Sequence, residues 1–197
     1  MSETLTARAA FTLEARHSRF LAQAAPAQSP EAALAFLAEV ADAGATHNCW
    51  AYRIGTEYRS SDDGEPAGTS GRPILAAIDG QGVDRVAVLV VRWYGGRNLG
   101  VGGLVRAYGG VAAECLRTAP RRPLVQWRET TLHCDFALAA TVHELLARTG
   151  AAKTGEVFDE HGLHLSLRVP ASSYPGLAER LRDLSRGAAT LDDPERE

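Results

Sequence analysis

Hydrophobic and polar positions along the chain sort into segments of distinct period. Phe11 to Ala24 (FTLEARHSRFLAQA) holds Phe11 and Leu13 in alternation before a basic RHSR break, and fits one strand or two. Ser29-Pro30-Glu31 reads as a helix start, with a Ser N-cap, Pro in the first turn and an acid at the positive end of the helix dipole. Leu34, Leu37, Val40 and Ala41 follow at helical spacing, and Gly44 is placed as the C′ glycine. In THNCWAYRIG, Trp50, Tyr52 and Ile54 alternate as in a strand with one buried face. RPILAAIDG predicts a short helix, and Val86 to Val91 is so aliphatic that it predicts a strand covered on both faces. From Gly102 to Ala119, Leu104, Val105, Val111, Ala112, Cys115 and Leu116 predict an amphipathic helix. Gly109-Gly110 inside it costs about 1 kcal/mol per glycine relative to alanine, which points to close packing against the sheet.

The remainder repeats a clear pattern. Leu132, Cys134, Phe136 and Leu138 alternate as a strand; Thr141-x-x-Glu144 reads as a capping box opening a helix that stops at Gly150. A strand near Gly155–Glu160 follows, then Leu163, Leu165, Leu167 and Val169 in alternation. A helix from about Pro175 to Arg186 carries Tyr174, Leu177, Leu181 and Leu184 on one side, and Ala188–Leu191 completes the pattern as a short strand. The order β-α-β-β-α-β is a ferredoxin-like unit. The expected organisation is a first domain over 1–120, a linker over 121–129, the ferredoxin-like domain over 130–191 and a frayed tail over 192–197.

Composition narrows the class. With 197 residues, 45% hydrophobic and 23% charged, the chain is an ordinary soluble globular protein. No apolar run approaches the roughly 20 residues that cross a bilayer, and no secretory signal is visible, so a cytoplasmic protein without a membrane partner is expected. Three widely spaced cysteines, Cys49, Cys115 and Cys134, form no CxxC pair and fit a reducing compartment. The net charge of −3 excludes a simple sponge for polyanions. Its distribution is uneven: residues 1–129 hold 14 basic against 13 acidic side chains, and residues 130–197 hold 7 against 11. Only Lys153 of the 21 basic residues is a lysine. Arginine's planar fork suits phosphate and carboxylate, although a GC-rich genome gives the same bias.

Chemistry concentrates between Arg59 and Gly110. RWYGGRNLGVGGLVR combines arginines with glycines at a helix start, where free N–H groups and the helix dipole favour an anion. The candidate RNA- or anion-binding set is Arg72, Arg92, Tyr94, Gly95, Gly96, Arg97, Gly102, Gly103 and Arg106, with Trp93 or Tyr94 able to stack on a base. The bland alternative is that the glycines serve tight turns and packing while the aromatics fill the core. The stretch does not match the GxxxxGK[ST] loop, so ATP use is not expected, and no cofactor is called for. Asp62, Asp63 and Glu65 in DDGE allow three readings: a Mg²⁺ or acid–base site, a set of acids that orient arginines, or a turn. The arginine-orienting reading is preferred, with His47 as a lining residue. His47 and Cys49 share a strand face without a third group, so no catalytic residue is assigned.

HSRFLA, ATHNCWAYRIG, SDDGEPAGTSGRPIL and VVRWYGGRNLGVGGLVRAYGG, in that order, resemble the IMPACT family of small translation-associated proteins, also called uncharacterised protein family 0029. The resemblance runs nearly end to end. It implies an α+β protein: a ribosomal protein S5 domain 2-like domain followed by a ferredoxin-like domain similar to the last domain of the translocation elongation factor. Where the family often has a hydrophobic residue and then lysine after the Gly-Gly pair, this chain has Arg97 and Asn98. The eukaryotic relative binds a large ribosome-associated partner of the amino-acid-starvation kinase; for bacterial members the resemblance implies nucleic-acid or ribosome association without a settled activity. The expected function is therefore a translation-associated binding protein whose first domain contacts RNA or the ribosome. A metal- or nucleotide-dependent small hydrolase or phosphotransferase using the DDGE acids, and a regulator acting only by protein–protein contact, are the alternatives; a translation-related protein is a further expected partner. RNA contact is assigned to the first domain because Phe136 and Phe158 read as isolated aromatics.

Overall fold

The computed structural model describes residues 2–192, of which those up to Leu124 form one compact unit and those from Val125 a second. Strand β1 (Glu3–Leu5) precedes a hairpin of β2 (Ala9–Ala15) and β3 (Ser18–Pro26). The hairpin turns on Arg16 and His17, both at positive φ (46° and 67°), as a two-residue turn between right-twisted strands requires. Helix α1 (Pro30–Val40) starts as expected: Ser29 Oγ accepts from the Ala32 N–H at 3.3 Å. It ends earlier than expected, at Val40, because Ala41 is extended; Gly44 lies beyond the cap, its N–H donating to Asp42 Oδ1 at 2.7 Å. The buried side of α1 is Ala33, Phe36 and Leu37, while Leu34 faces solvent.

Strands β4 (His47–Ile54) and β5 (Glu57–Ser61), helix α2 (Gly71–Gly80), strand β6 (Val86–Trp93), helix α3 (Val101–Thr118) and strand β7 (Arg121–Pro123) follow. The main sheet is antiparallel in the order β2-β3-β6-β4-β5. Its central strand β6 is covered on both faces, as its aliphatic run demands. Val86, Val88 and Val90 pack with Phe20, Ile74, Tyr108 and Val111 on the α2/α3 side. Ala87, Leu89 and Val91 pack with Tyr52, Phe36 and Leu37 on the α1 side. Each fully buried Val or Leu contributes roughly 1.5–3 kcal/mol, so this two-sided strand anchors the unit. Strand β4 was expected to bury one face, but Cys49 and Ala51 join one core as Tyr52 joins the other. The glycine pair in α3 also behaves differently from expectation. Gly109 lies against Pro73 of α2 rather than the sheet, and Gly110 faces open space. Segment 121–123, expected to be linker, pairs as β7 with β1.

The second unit runs β8 (Trp127–Cys134), a 3₁₀ turn (Phe136–Leu138), α4 (Ala139–Thr149), β9 (Ala152–Asp159), β10 (Gly162–Pro170), α5 (Tyr174–Ser185) and β11 (Thr190–Asp192). The sheet order β11-β8-β10-β9, antiparallel throughout, is the ferredoxin-like arrangement. Leu132, Leu163, Leu165, Leu167 and Val169 meet Val142, Leu146, Leu177 and Leu181 in its core. Thr141 and Glu144 do not form a capping box, because the 3₁₀ turn leads α4 in from Ala139. Leu184, expected among the buried positions of α5, is 52% exposed. Phe136 and Phe158 are not isolated: their rings stack at 6.3 Å. Phe158 pairs with Leu163, whose side chain is in the core, so the aromatic pair sits on the helix side of the sheet rather than its open face. The predicted tail falls outside the described residues from position 193, and Asp192 belongs to β11.

Candidate functional site

The loop from Asp62 to Ser70 is built on one carboxylate. Asp62 accepts the N–H groups of Gly68 (2.7 Å), Ser70 (3.0 Å) and Gly71 (2.8 Å) and the Ser70 hydroxyl (2.7 Å), and so caps α2 from eight residues upstream. Burial pushes its pKa up, but these donors outweigh burial and hold it below the ordinary carboxylate value. Gly71 is required here, since a Cβ would stand 2.8 Å from the Ser61 carbonyl oxygen. Asp63 and Gly64, both at positive φ, form the turn; Asp63 Oδ2 accepts the Asn48 N–H at 2.5 Å. Asp62 and Asp63 therefore bind backbone N–H groups and the Ser70 hydroxyl, and among the described residues neither pairs with an arginine, contrary to expectation. Among the described residues no three His, Cys, Asp or Glu side chains group as metal ligands.

Of the three DDGE acids, Glu65 is the one that pairs with an arginine among the described residues. Strand β6 points Arg92 into the α2/α3 side of the sheet, where its Nη1 meets Glu65 Oε1 at 2.5 Å, with both side chains about 95% buried. Tyr108 of α3 donates its hydroxyl to the same oxygen at 2.7 Å and sets its ring edge-on to Phe20. Burial, then Cys49 and the Glu65 carboxylate, push the Tyr108 pKa up, so it stays a donor. His47, opposite Arg92 in the β4–β6 register, has Nδ1 2.7 Å from the Asp63 carbonyl and Nε2 3.8 Å from Glu65 Oε1. The Arg92 Nε is buried without a hydrogen-bond partner. Cys49 is fully buried, its thiol donating to the Asp62 carbonyl oxygen and pushed up by burial to about 11; it is not a nucleophile poised by His47.

The glycine-rich turn closes over this pair. The Tyr94 N–H donates to Thr46 Oγ1 and the Gly95 N–H to Ser18 Oγ. A Cβ at Gly95 would lie 2.0 Å from the His17 carbonyl oxygen, so the turn reaches the β2–β3 hairpin only through glycine. Gly96 (φ 82°) turns the chain, and Tyr94 and Asn98 join through their side chains at 3.0 Å. Gly100 (φ 72°) starts α3 with no side-chain cap, and Gly103 lets Leu99 fold onto the first turn. Together these elements surround a cleft of about 450 Å³. Arg92 and Glu65 line it with Thr46, His47, Tyr94, Asn98, Val101 and Leu104.

Arg92, Arg97 and Arg106 do not share this cleft. Arg106 lines a second hollow of about 270 Å³ with Arg16 and Leu13, divided from the first by Leu99; Arg97 is exposed on the turn and lines neither. Arg72 is exposed in the first turn of α2. The cause is placement: a strand directs Arg92 inward, whereas the turn and the helix direct the others to solvent. Arg72, Arg97 and Arg106 have no hydrogen-bond or ion-pair partner among the described residues. Of the glycines, Gly95 and Gly96 shape the turn, Gly103 accommodates Leu99, and exposed Gly102 lies in the open first turn of α3. Sequence reading missed Ser18, Thr46, Asn98 and Tyr108. Tyr108 falls on the apolar stripe of α3, four positions after Leu104, which was its one available signal.

Residues 16–116 match the Impact N-terminal domain, and residues 132–188 match a domain of unknown function, DUF1949. The chain belongs to the IMPACT family. It is 53% identical over 173 residues to an IMPACT family member in the pol 5′ region of Thermus thermophilus, covering 87% of this chain and 96% of the relative. To IMPACT family member YigZ of Escherichia coli it is 36% identical over 185 residues, covering 90% of each. Protein IMPACT of Mus musculus matches 43% of this chain at 40% identity, over 29% of its own length. A solved structure titled as the crystal structure of a hypothetical protein superposes with a TM-score of 0.67 at 33% identity over the full length of both chains. No helix among the described residues is long and apolar enough to cross a membrane.

Proposed function

We propose that this IMPACT family member is a cytoplasmic, translation-associated regulator whose first unit contacts RNA, free or within the ribosome. The observation that carries the reading is the cleft: a buried guanidinium with an unpartnered N–H, beside an uncapped helix start, near exposed arginines that have no internal partner. Uncommitted arginines on a turn and a helix start are what a polyanionic backbone recruits. Binding is favoured over catalysis because each acid of DDGE is already engaged, Asp62 and Asp63 with backbone amides and Glu65 with Arg92 and Tyr108. The second unit, with its excess of acids, is assigned to contact with a translation-related protein.

The test is fluorescence anisotropy with single-stranded RNA at several salt concentrations. Arg97→Ala/Arg106→Ala is expected to weaken binding and to reduce the slope of log K against log salt by roughly 0.7 per lost phosphate contact. Unchanged affinity and slope would remove these arginines from the interface. Arg92 is unsuited to this test, because removing it leaves Glu65 buried without its counter-charge.

A further inference from the structure

We infer that the Arg92–Glu65 cleft holds a single unpaired base, not a phosphate. The inference rests on the RNA-contact reading and specifies what the first unit recognises. A phosphate seeks net positive charge and donors alone. The floor of this cleft offers neither condition, since the Arg92 guanidinium lies 2.5 Å from the Glu65 carboxylate and the pair is neutral.

What the cleft offers is a mixed edge. The Nδ1 of His47 donates to the Asp63 carbonyl oxygen and its Nε2 lies 3.8 Å from Glu65 Oε1, so the Glu65 carboxylate, which lines the cleft, is the acceptor of the floor. The Asn98 amide oxygen is occupied by the Tyr94 hydroxyl, which leaves its NH₂ as a donor. Thr46 Oγ1 receives the Tyr94 N–H and retains its own O–H to donate. The Arg92 Nε–H, though unpartnered, is fully buried, so the donors open to a ligand are those of Asn98 and Thr46. Donors and acceptors on a neutral floor match the edge of a heterocycle.

The walls agree with the floor. Tyr94, Leu99, Val101 and Leu104 line the cleft, Tyr94 being 44% and Val101 63% exposed, and the Tyr94 ring centroid lies 5.3 Å from the Arg92 guanidinium carbon. A flat aromatic face and aliphatic groups around a polar floor are how unstacked bases are held. The volume of about 450 Å³ is within the usual range for small-molecule sites and admits one base with its sugar. The phosphates then fall to Arg97 and Arg106 outside the cleft, with Arg16, whose Nη1 donates to the Asn98 carbonyl oxygen at 3.2 Å, beside Arg106.

The experiment compares two probes on the full-length protein: a single-stranded RNA of about 12 nucleotides and an abasic chain of the same length. Val101→Trp is the variant, because Val101 is exposed in the first turn of α3 and a larger ring there fills the cleft mouth without touching the core or the charge. Its melting curve verifies that it folds. Wild type is expected to bind the RNA at least about tenfold more tightly than the abasic chain, and Val101→Trp to erase that preference. Equal binding of both chains by wild type, or displacement of the RNA by inorganic phosphate at low concentration, would overturn the base assignment and leave the RNA reading standing. A preference that survives Val101→Trp would place the base elsewhere. Failure of both chains to bind would remove the RNA reading itself.

Discussion

Arg92 and Glu65 sit where two charges are costly to bury, and each is held there by the other. Removing one partner of such a pair leaves the remaining ion uncompensated, at a cost of about 3–5 kcal/mol. Glu65→Ala and Arg92→Ala are each expected to lower stability by that order in urea unfolding, and the double variant by clearly less than their sum. Additive losses would show that the two ions do not stabilise one another. Asp62 makes a second prediction, with a defined pH window. Its folded pKa lies below the ordinary value of 3.8, so its contribution is complete above that value and is lost as pH falls through the lowered one. Asp62→Asn should therefore cost about 1 kcal/mol near neutrality, and the gap to wild type should close in acid. A gap independent of pH would contradict the capping role. These two carboxylates also show what the sequence conceals. DDGE announces a cluster of acids, but only three-dimensional placement assigns Asp62 to a helix start and Glu65 to an arginine 27 residues away.

At the scale of elements, the glycines divide by what stands opposite them. Gly95 reaches the backbone of the β2–β3 hairpin, so Gly95→Ala must displace one segment and is expected to cost about 1–3 kcal/mol or more. Gly110 faces open space within α3, and Gly110→Ala should instead raise stability by about 1 kcal/mol. Thermal melts of the two variants should move in opposite directions; an unchanged or raised melting temperature for Gly95→Ala would mean that the turn does not depend on that close approach. Period alone located β6, α3 and the alternating β10, because each buries a face or stripe wide enough to write itself into the sequence. It failed where pairing or capping is decided at a distance. The strand Arg121–Pro123 exists because Glu3–Leu5 lies beside it, and α4 begins at Ala139 because a 3₁₀ turn precedes it. The two-residue turn at Arg16-His17 lacks the Asn-Gly or Asp-Gly pair that marks such hairpins.

For the whole molecule, membership of the IMPACT family and the two-unit α+β architecture agree with the motifs that run through the chain. The site was legible as a region but not as an arrangement. RWYGGR and its neighbours do surround a cleft, yet one arginine forms the floor and the others lie outside it. We propose a division of labour in which the first unit contacts RNA, on the placement of these arginines, and the second unit, on its excess of acids, contacts protein. Ultraviolet crosslinking of the full-length protein in cells, with the crosslinked peptides mapped by mass spectrometry, tests this most directly. Nucleotide adducts are predicted on Tyr94 and on the segment 97–106. Adducts confined to residues 125–192, or none anywhere on the first unit, would contradict it.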